Sequence, residues 1–399
     1  MKKILIFAIT ALLMLGAVIP AHAGLQPFEV EAKAALVMDY DTGQILYAHN
    51  IDEALPPASI TKLMSMYLIF EALESGQISL DEKVTASSNV LMSADSSQIF
   101  LAPGEELTVK ELLLSIAIIS ANDAGVAMAE HIAGSEGAFI TLMNDKAREL
   151  GMTQTNFANV HGLDAANHHM SARDIAILSR AILRDFPDVL DYSSIRHLRL
   201  DRETRYVREG HFDLNSTFTS LIGWRNVDGL KTGWTPQAGR GITATSLHND
   251  RRVIAVVLGT ETIAIRDAET KKLIDYGHDQ FEPRTVLETE VVVETLNIAN
   301  AREREVNVVL QSDATVLLKP EMSVADLHVE KEFMDDIAAP LAEGEQVGTY
   351  RLLWDEETVL EIPLTVNEDV TQANFFVRTL RYLSDALTQL GGWIMDKIS

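Results

Sequence analysis

One long apolar run opens the chain, and shorter apolar stretches separated by polar turns come after it. Ile4 to Ile19 is apolar, follows Lys2 and Lys3, and ends at Pro20 and Ala21-His22-Ala23. A basic start, an apolar centre and a small-x-small end predict an export signal over 1–23, cleaved before Gly24. The alternative, a transmembrane anchor, is disfavoured because the run is short and ends in Pro20 and a cleavage site. Leu36 to Met38 and Ile45 to Tyr47 flank Asp41-Thr42-Gly43, which predicts a β-hairpin over Ala35 to His49. From Ser59 to about Glu74 the chain is apolar on nearly every helical face, so this helix belongs in the middle of a domain, with Gly76 as its stop. Val84 to Gly104 is serine-rich and predicts a loop. Thr108-Val109-Lys110-Glu111 is a capping box that opens an apolar helix over Leu112 to Ile119. That helix breaks at Ser120-Ala121-Asn122, where Asp123 is expected to cap the next one, which runs through His131 to Gly134. Gly137 to Leu150 and Ala172 to about Leu183 predict two more helices, the second capped by Ser171, with a loop over Asn156 to Met170 between them.

Period-two patterning dominates the later part of the chain. Val227 to Gly233, Gly241 to Leu247 and Arg251 to Leu258 predict three adjacent antiparallel strands, with the Lys231 strand at one side. Ala264 to Gly277 predicts an amphipathic helix. Composition shifts after Phe281-Glu282-Pro283 towards short strands over Glu290 to Glu294, Glu305 to Leu310, Thr315 to Leu318, Gln346 to Leu353 and Thr358 to Val366. These predict a separate small β domain. From Thr371 onwards Phe376, Leu380, Leu383, Leu387, Leu390, Ile394 and Ile398 recur at helical spacing, with Trp393 and a local excess of Arg378, Arg381 and Lys397. An apolar face with Trp and cations suits a helix lying in a membrane surface; the alternative is a helix docked on the protein itself. The expected organisation is therefore 1–23 signal, a larger domain over 24–283, a β-rich domain over 284–368 and an amphipathic membrane-anchoring helix over 369–399.

Composition narrows the function. The formal net charge is −25 with a pI near 4.8, which excludes a basic surface for nucleic acid. There is no cysteine, so disulfides, zinc thiolates and a lipid-modified cysteine are excluded. His161, His168 and His169 share a loop but lack carboxylate or cysteine support, and read as surface residues rather than metal ligands. Asp164 reads as a brace for the same loop.

Chemistry collects at Ser59-Ile60-Thr61-Lys62, Ser120-Ala121-Asn122 and Lys231-Thr232-Gly233. Ser-x-x-Lys at a helix start puts a hydroxyl and an amine one turn apart on one face, beside backbone N–H groups that lack helical partners. Ser59 is then the nucleophile and Lys62 its base, provided burial or a nearby cation such as Lys231 keeps the amine neutral. Ser120 can pass the proton to a leaving amine, Asn122 can hold Lys62 and a substrate amide, and Lys231 with Thr232 suits a terminal carboxylate. Gly233 lets a peptide backbone approach the strand closely.

This set resembles the low-molecular-weight penicillin-binding proteins that are serine-type D-alanyl-D-alanine carboxypeptidases. Val227-Asp228-Gly229-Leu230 before Lys231, His161-Gly162-Leu163-Asp164, Pro103-Gly104-Glu105 and Lys271-Lys272-Leu273 are similar to that family too. The resemblance implies an α/β (α+β) penicillin-recognising serine transferase fold. It implies a five-stranded antiparallel sheet, a smaller all-β C-terminal domain and an amphipathic C-terminal helix. It also implies removal of the terminal D-Ala from peptidoglycan pentapeptides, acylation by β-lactam antibiotics, no cofactor, and a periplasmic site on the outer face of the inner membrane. By the family's arrangement the Trp234 N–H joins that of Ser59 in an oxyanion hole. Two departures stand out: Glu261 lies where relatives often carry a cation, and Thr217-Phe218-Thr219-Ser220 replaces their usual residues. Carboxylate recognition then falls on Thr232, Thr235 or Arg240. The rival readings are a D,D-endopeptidase, a serine β-lactamase and a non-catalytic wall-binding protein.

Overall fold

The computed structural model describes residues 28–202, 210–218, 220–303 and 305–379. The predicted export signal and most of the tail helix lie outside them. The chain divides into two compact units, residues up to Asp41 with Ile45–His278, and Thr42–Gln44 with Asp279 onwards.

The first unit is built on a five-stranded antiparallel sheet. Its strands are β1 (Ala34–Asp39) and β2 (Ile45–His49), then, past the two short pairs β3 (Lys83–Thr85) with β4 (Glu106–Thr108) and β5 (His197–Asp201) with β6 (His211–Asn215), β7 (Val227–Thr235), β8 (Gly239–His248) and β9 (Arg251–Thr260). The order across it is β2-β1-β9-β8-β7, so β7 is an edge. Strand alternation explains why β1 reads as an unbroken apolar run. Ala34, Leu36 and Met38 face a helical core together with Ile254, Val256 and Leu258, whereas Val37 and Val253 face Gly277 on the other side. At the centre of that core lies α1 (Lys62–Glu74), buried continuously from Lys62 to Phe70. Around it stand α2 (Val109–Ile118), α3 (Asn122–Ala133), α4 (Glu136–Glu149), α5 (Ala172–Asp185) and the short α6 (Val189–Ser193); α7 (Ile263–Asp279), which carries Gly277, covers the opposite face.

Local signals acted largely as the sequence predicts. Thr108 and Glu111 form the capping box, Ser171 caps α5 through the Asp174 N–H, and Gly134 ends α3 in the left-handed region. Three details differ. The stretch 84–104 is closed by the β3–β4 pair. Ser59 sits in a 3-10 turn, Ala58–Thr61, that runs into α1. Asp123 does not cap α3, because Ala121 holds that position; its carboxylate reaches elsewhere.

The second unit has its own core, including Val306, Val308, Leu310, Val347, Leu352, Ile362 and Leu364. Strands β10 (Glu282–Leu287) and β13 (Ala314–Leu318) pair with each other. A five-stranded sheet runs in the order β11 (Glu294–Asn297), β12 (Glu305–Leu310), β16 (Glu357–Val366), β15 (Gln346–Trp354), β14 (His328–Phe333). The strand expected over Glu290 to Glu294 instead begins at Glu294. Strands β10 and β14 gave no signal because their residues are mostly exposed and lack an apolar alternation. The tail helix begins at 375, later than expected, because Val370 and Gln372 still bridge to Leu341 and Ala301.

Candidate active site

The position of Ser59, the candidate nucleophile, is fixed by two glycines. Ala58 takes a left-handed φ of 50° immediately before Ser59. A Cβ on Gly162 would meet the Ala58 carbonyl oxygen at 1.8 Å, and one on Gly233 would meet Pro57 O at 2.8 Å and the Ser59 nitrogen at 3.0 Å. The 156–170 loop and strand β7 therefore clamp the turn from two sides, and only side-chain-free residues permit it. Gly233 serves this approach to the protein's own backbone, in addition to the open β7 edge that the sequence emphasises. Between Pro57 and Lys62 only Ser59 is more than slightly exposed.

Lys62 is wholly buried, with Nζ 3.0 Å from Ser59 Oγ. It donates to the His161 carbonyl at 2.6 Å. Its pKa lies well below the ordinary lysine value, chiefly because burial disfavours the ammonium and secondly because Lys231 repels it, while Asp123 opposes the shift. Lys231 is also buried, donates to the Thr232 carbonyl at 3.2 Å, and is pushed down to about 7 by burial. The sequence leaves open whether burial or a cation would neutralise Lys62; both act, and burial leads.

Ser120 sits at the break between α2 and α3 with a left-handed φ of 65°. Ser120 Oγ and Asn122 Oδ1 are buried and make no hydrogen bond among the described residues. Directly after them, Asp123 accepts from the N–H groups of Ile99, Leu101 and Ala124 at 2.9–3.1 Å, which pins the 97–101 loop to the start of α3. Thr217, in one of the departing segments, shares a 2.7 Å hydrogen bond between its hydroxyl and that of Thr232. Its N–H donates to Ile118 O, two residues before Ser120, at 3.2 Å. It thus ties β7 to the Ser120 junction.

At the outer end of β7, Trp234 is half exposed, and the Arg240 guanidinium lies 4.4 Å from its ring centre. Thr235 donates to Asp164 at 2.7 Å, so Asp164 braces its loop against the strand. Glu261 is exposed, but Arg266, five residues further on, brings a buried guanidinium whose charge is felt by Arg240. Arg266 pairs with Asp267 at 2.7 Å, and Ser220 donates to the same carboxylate. A cation therefore does stand near this end of the sheet. His168, expected on the surface, is buried: Nδ1 accepts from Ala158 N–H at 2.9 Å and Nε2 lies 2.8 Å from Thr61 Oγ1. Burial holds His161 and His168 down to about 3 and about 4, so both rings are neutral at pH 7.

The site thus brings Ser59, Lys62, Lys231 and Gly233 together and links Thr232 through Thr217 to the Ser120 junction. Sequence reasoning missed the His161 carbonyl, Asp123, Thr217 and Arg266 as parts of it. Only Asp123 carried a local signal, as a carboxylate next to Asn122.

Known proteins resemble this chain in sequence and fold. Residues 21–262 match the D-alanyl-D-alanine carboxypeptidase model of the S11 peptidases, and residues 281–372 match the C-terminal domain of penicillin-binding protein 5. D-alanyl-D-alanine carboxypeptidase DacF of Bacillus subtilis is 38% identical over 358 residues, 89% of this chain and 90% of its own. Penicillin-binding protein 5 of Haemophilus influenzae superposes with a TM-score of 0.73 at 31% identity, covering 88% of this chain and 100% of that one. Penicillin-binding protein D2 of Listeria monocytogenes in its cefotaxime-bound form gives a TM-score of 0.56 at 31% identity, over 63% of this chain and 99% of that one. The chain belongs to the D-alanyl-D-alanine carboxypeptidase family, the S11 peptidases.

Proposed function

We propose that this enzyme, a serine D-alanyl-D-alanine carboxypeptidase, removes the terminal D-Ala of peptidoglycan pentapeptides through an acyl-Ser59 intermediate. The observation that carries this is the buried Lys62 amine 3.0 Å from Ser59 Oγ. Lys62 takes the Ser59 proton as Oγ attacks the carbonyl carbon of the penultimate D-Ala. The oxyanion meets the N–H groups of Ser59 and Trp234. The C–N bond breaks, and the departing D-Ala amine receives the proton from Lys62 by way of Ser120. Water then attacks the ester as Lys62 takes its proton, the acyl–Oγ bond breaks, and Lys62 returns the proton to Ser59 Oγ. Asn122 holds Lys62 and the substrate amide. The edge of β7 pairs with the peptide, and Lys231 and Thr232 hold the terminal carboxylate, with Arg240 beside Trp234 adding positive charge at the outer end of the strand. A β-lactam follows the same first step and stays on Ser59.

The test uses wild type and Ser59→Ala with fluorescent penicillin and with a pentapeptide ending in D-Ala-D-Ala. Stable labelling and D-alanine release by wild type alone are expected. Absence of both from wild type overturns the reading; loss of label within seconds indicates a β-lactamase, and cleavage of cross-linked dimers in preference to pentapeptide indicates an endopeptidase.

The export signal expected over 1–23 and the amphipathic tail expected over 369–399 support a periplasmic enzyme held on the outer face of the inner membrane. The exposed Phe375 and Phe376 at the start of the tail helix support this, as apolar residues of a membrane-surface helix. Among the described residues no helix is long and apolar enough to cross a membrane. Truncation after Asp369 releases the protein from membranes; unchanged fractionation overturns the anchor.

A further inference from the structure

We infer that His168 is a positioning residue: it holds the loop that carries the His161 carbonyl against α1 and thereby sets the geometry and dryness of Lys62. The inference rests on the reading of Lys62 as the base. The Ala158 N–H can only donate, so the Nδ1 it meets at 2.9 Å must be the bare nitrogen of the ring. The ring proton is then on Nε2 and is donated to Thr61 Oγ1 at 2.8 Å. Thr61 lies between Ser59 and Lys62 in the sequence, so this one ring joins the nucleophile's turn to the loop.

The loop in turn closes over Lys62. The His161 carbonyl accepts from Nζ at 2.6 Å, and Ser65 of α1 donates to Val160 O at 2.8 Å. Asn159 Oδ1 accepts from Gly162 N–H at 2.6 Å and holds the tip in shape. Without His168 the Ala158 N–H and Thr61 hydroxyl lose a shared partner. The loop loosens, water reaches Nζ, and the burial that keeps the amine neutral is relieved. The groups facing the ring are Lys62 from α1 and His161, Asp164 and His169 from its own loop. Burial is the chief reason the ring stays neutral; charge on His169 or Lys62 adds to it and Asp164 opposes it. A protonated ring could not accept from Ala158, and the latch would open.

The experiment compares wild type, His168→Leu, His168→Gln and Thr61→Val by penicillin acylation rate and by nitrogen-15 NMR titration of Lys62. Leucine removes both hydrogen bonds, glutamine can keep an acceptor and a donor, and valine removes only the acceptor. We expect His168→Leu to slow acylation about 10-fold or more and to raise the midpoint of Lys62 titration by about one pH unit. His168→Gln restores most of both. A folded His168→Leu with unchanged Lys62 titration and acylation overturns the inference, as does a ring spectrum showing the proton on Nδ1. If His168→Leu does not fold, Thr61→Val decides by the same Lys62 titration. Failure of wild type to acylate overturns the functional reading, while the Lys62 titration still decides the role of His168.

Discussion

Gly233 backs onto Ser59: a Cβ at 233 would stand 3.0 Å from the Ser59 amide nitrogen and 2.8 Å from Pro57 O. The obstacle is backbone, which cannot swing aside. Gly233→Ala must therefore push the Ser59 turn away from β7. Overpacking of this kind costs about 1–3 kcal/mol in stability. A shift of Ser59 by about 1 Å lowers acylation by about 100-fold. Denaturant unfolding and penicillin acylation of the same preparation check both; a stable variant of normal rate would contradict the clamp.

The two buried lysines predict a bell-shaped pH dependence. As the proposed base Lys62 must be neutral, and its pKa is depressed, so kcat/KM is expected to fall as pH drops through that value. Lys231, in its proposed role, must be charged to hold a carboxylate. With its pKa pushed down to about 7, kcat/KM for pentapeptide falls again as pH rises through that region. A bound carboxylate stabilises the ammonium, so the alkaline limb of kcat lies at higher pH than that of kcat/KM. Pentapeptide kinetics across pH measure both limbs.

Asp123 gives a prediction whose sign distinguishes electrostatics from structure. Its carboxylate raises the pKa of Lys62, so removing that charge in Asp123→Asn moves the acid limb of acylation to lower pH. Asp123→Ala additionally strands the N–H groups of Ile99, Leu101 and Ala124 and destabilises by about 3 kcal/mol or more. The asparagine variant keeps one acceptor oxygen and loses less. Acylation profiles and urea unfolding check the two effects separately.

Acid stability should follow His168. Its folded pKa, about 4, lies below the ordinary value of 6.5, so the unfolded chain binds more protons between the two. The ring's contribution is complete above pH 6.5 and is lost as pH falls towards 4. His161 behaves in the same way towards about 3, whereas Asp123 and Asp174, whose pKa values are raised, pull in the opposite direction. The difference between wild type and His168→Gln isolates the ring. The variant shows a shallower fall in unfolding free energy between pH 6.5 and 4, measured by urea denaturation; an identical slope refutes the assignment.

Local chemistry made much of this protein legible in its sequence. The capping box at Thr108 and Glu111, the Ser171 cap and the Gly134 stop act over three or four residues, and each lies where the pattern puts it. The unbroken apolar face of α1 required a central position because no other placement keeps it from water. Ser59 and Lys62 are one helical turn apart, so their meeting follows from sequence spacing alone. Tertiary structure decided the rest. Whether Lys62 could be neutral depended on how deeply α1 is buried and on the arrival of Lys231 from a strand far along the chain. The Thr61–His168 and Thr217–Thr232 hydrogen bonds, the Arg266 guanidinium near Arg240, and the fit of Gly162 and Gly233 around the nucleophile join segments distant in sequence. Such pairings leave no periodic or short-range trace, because what fixes them is the packing of whole elements.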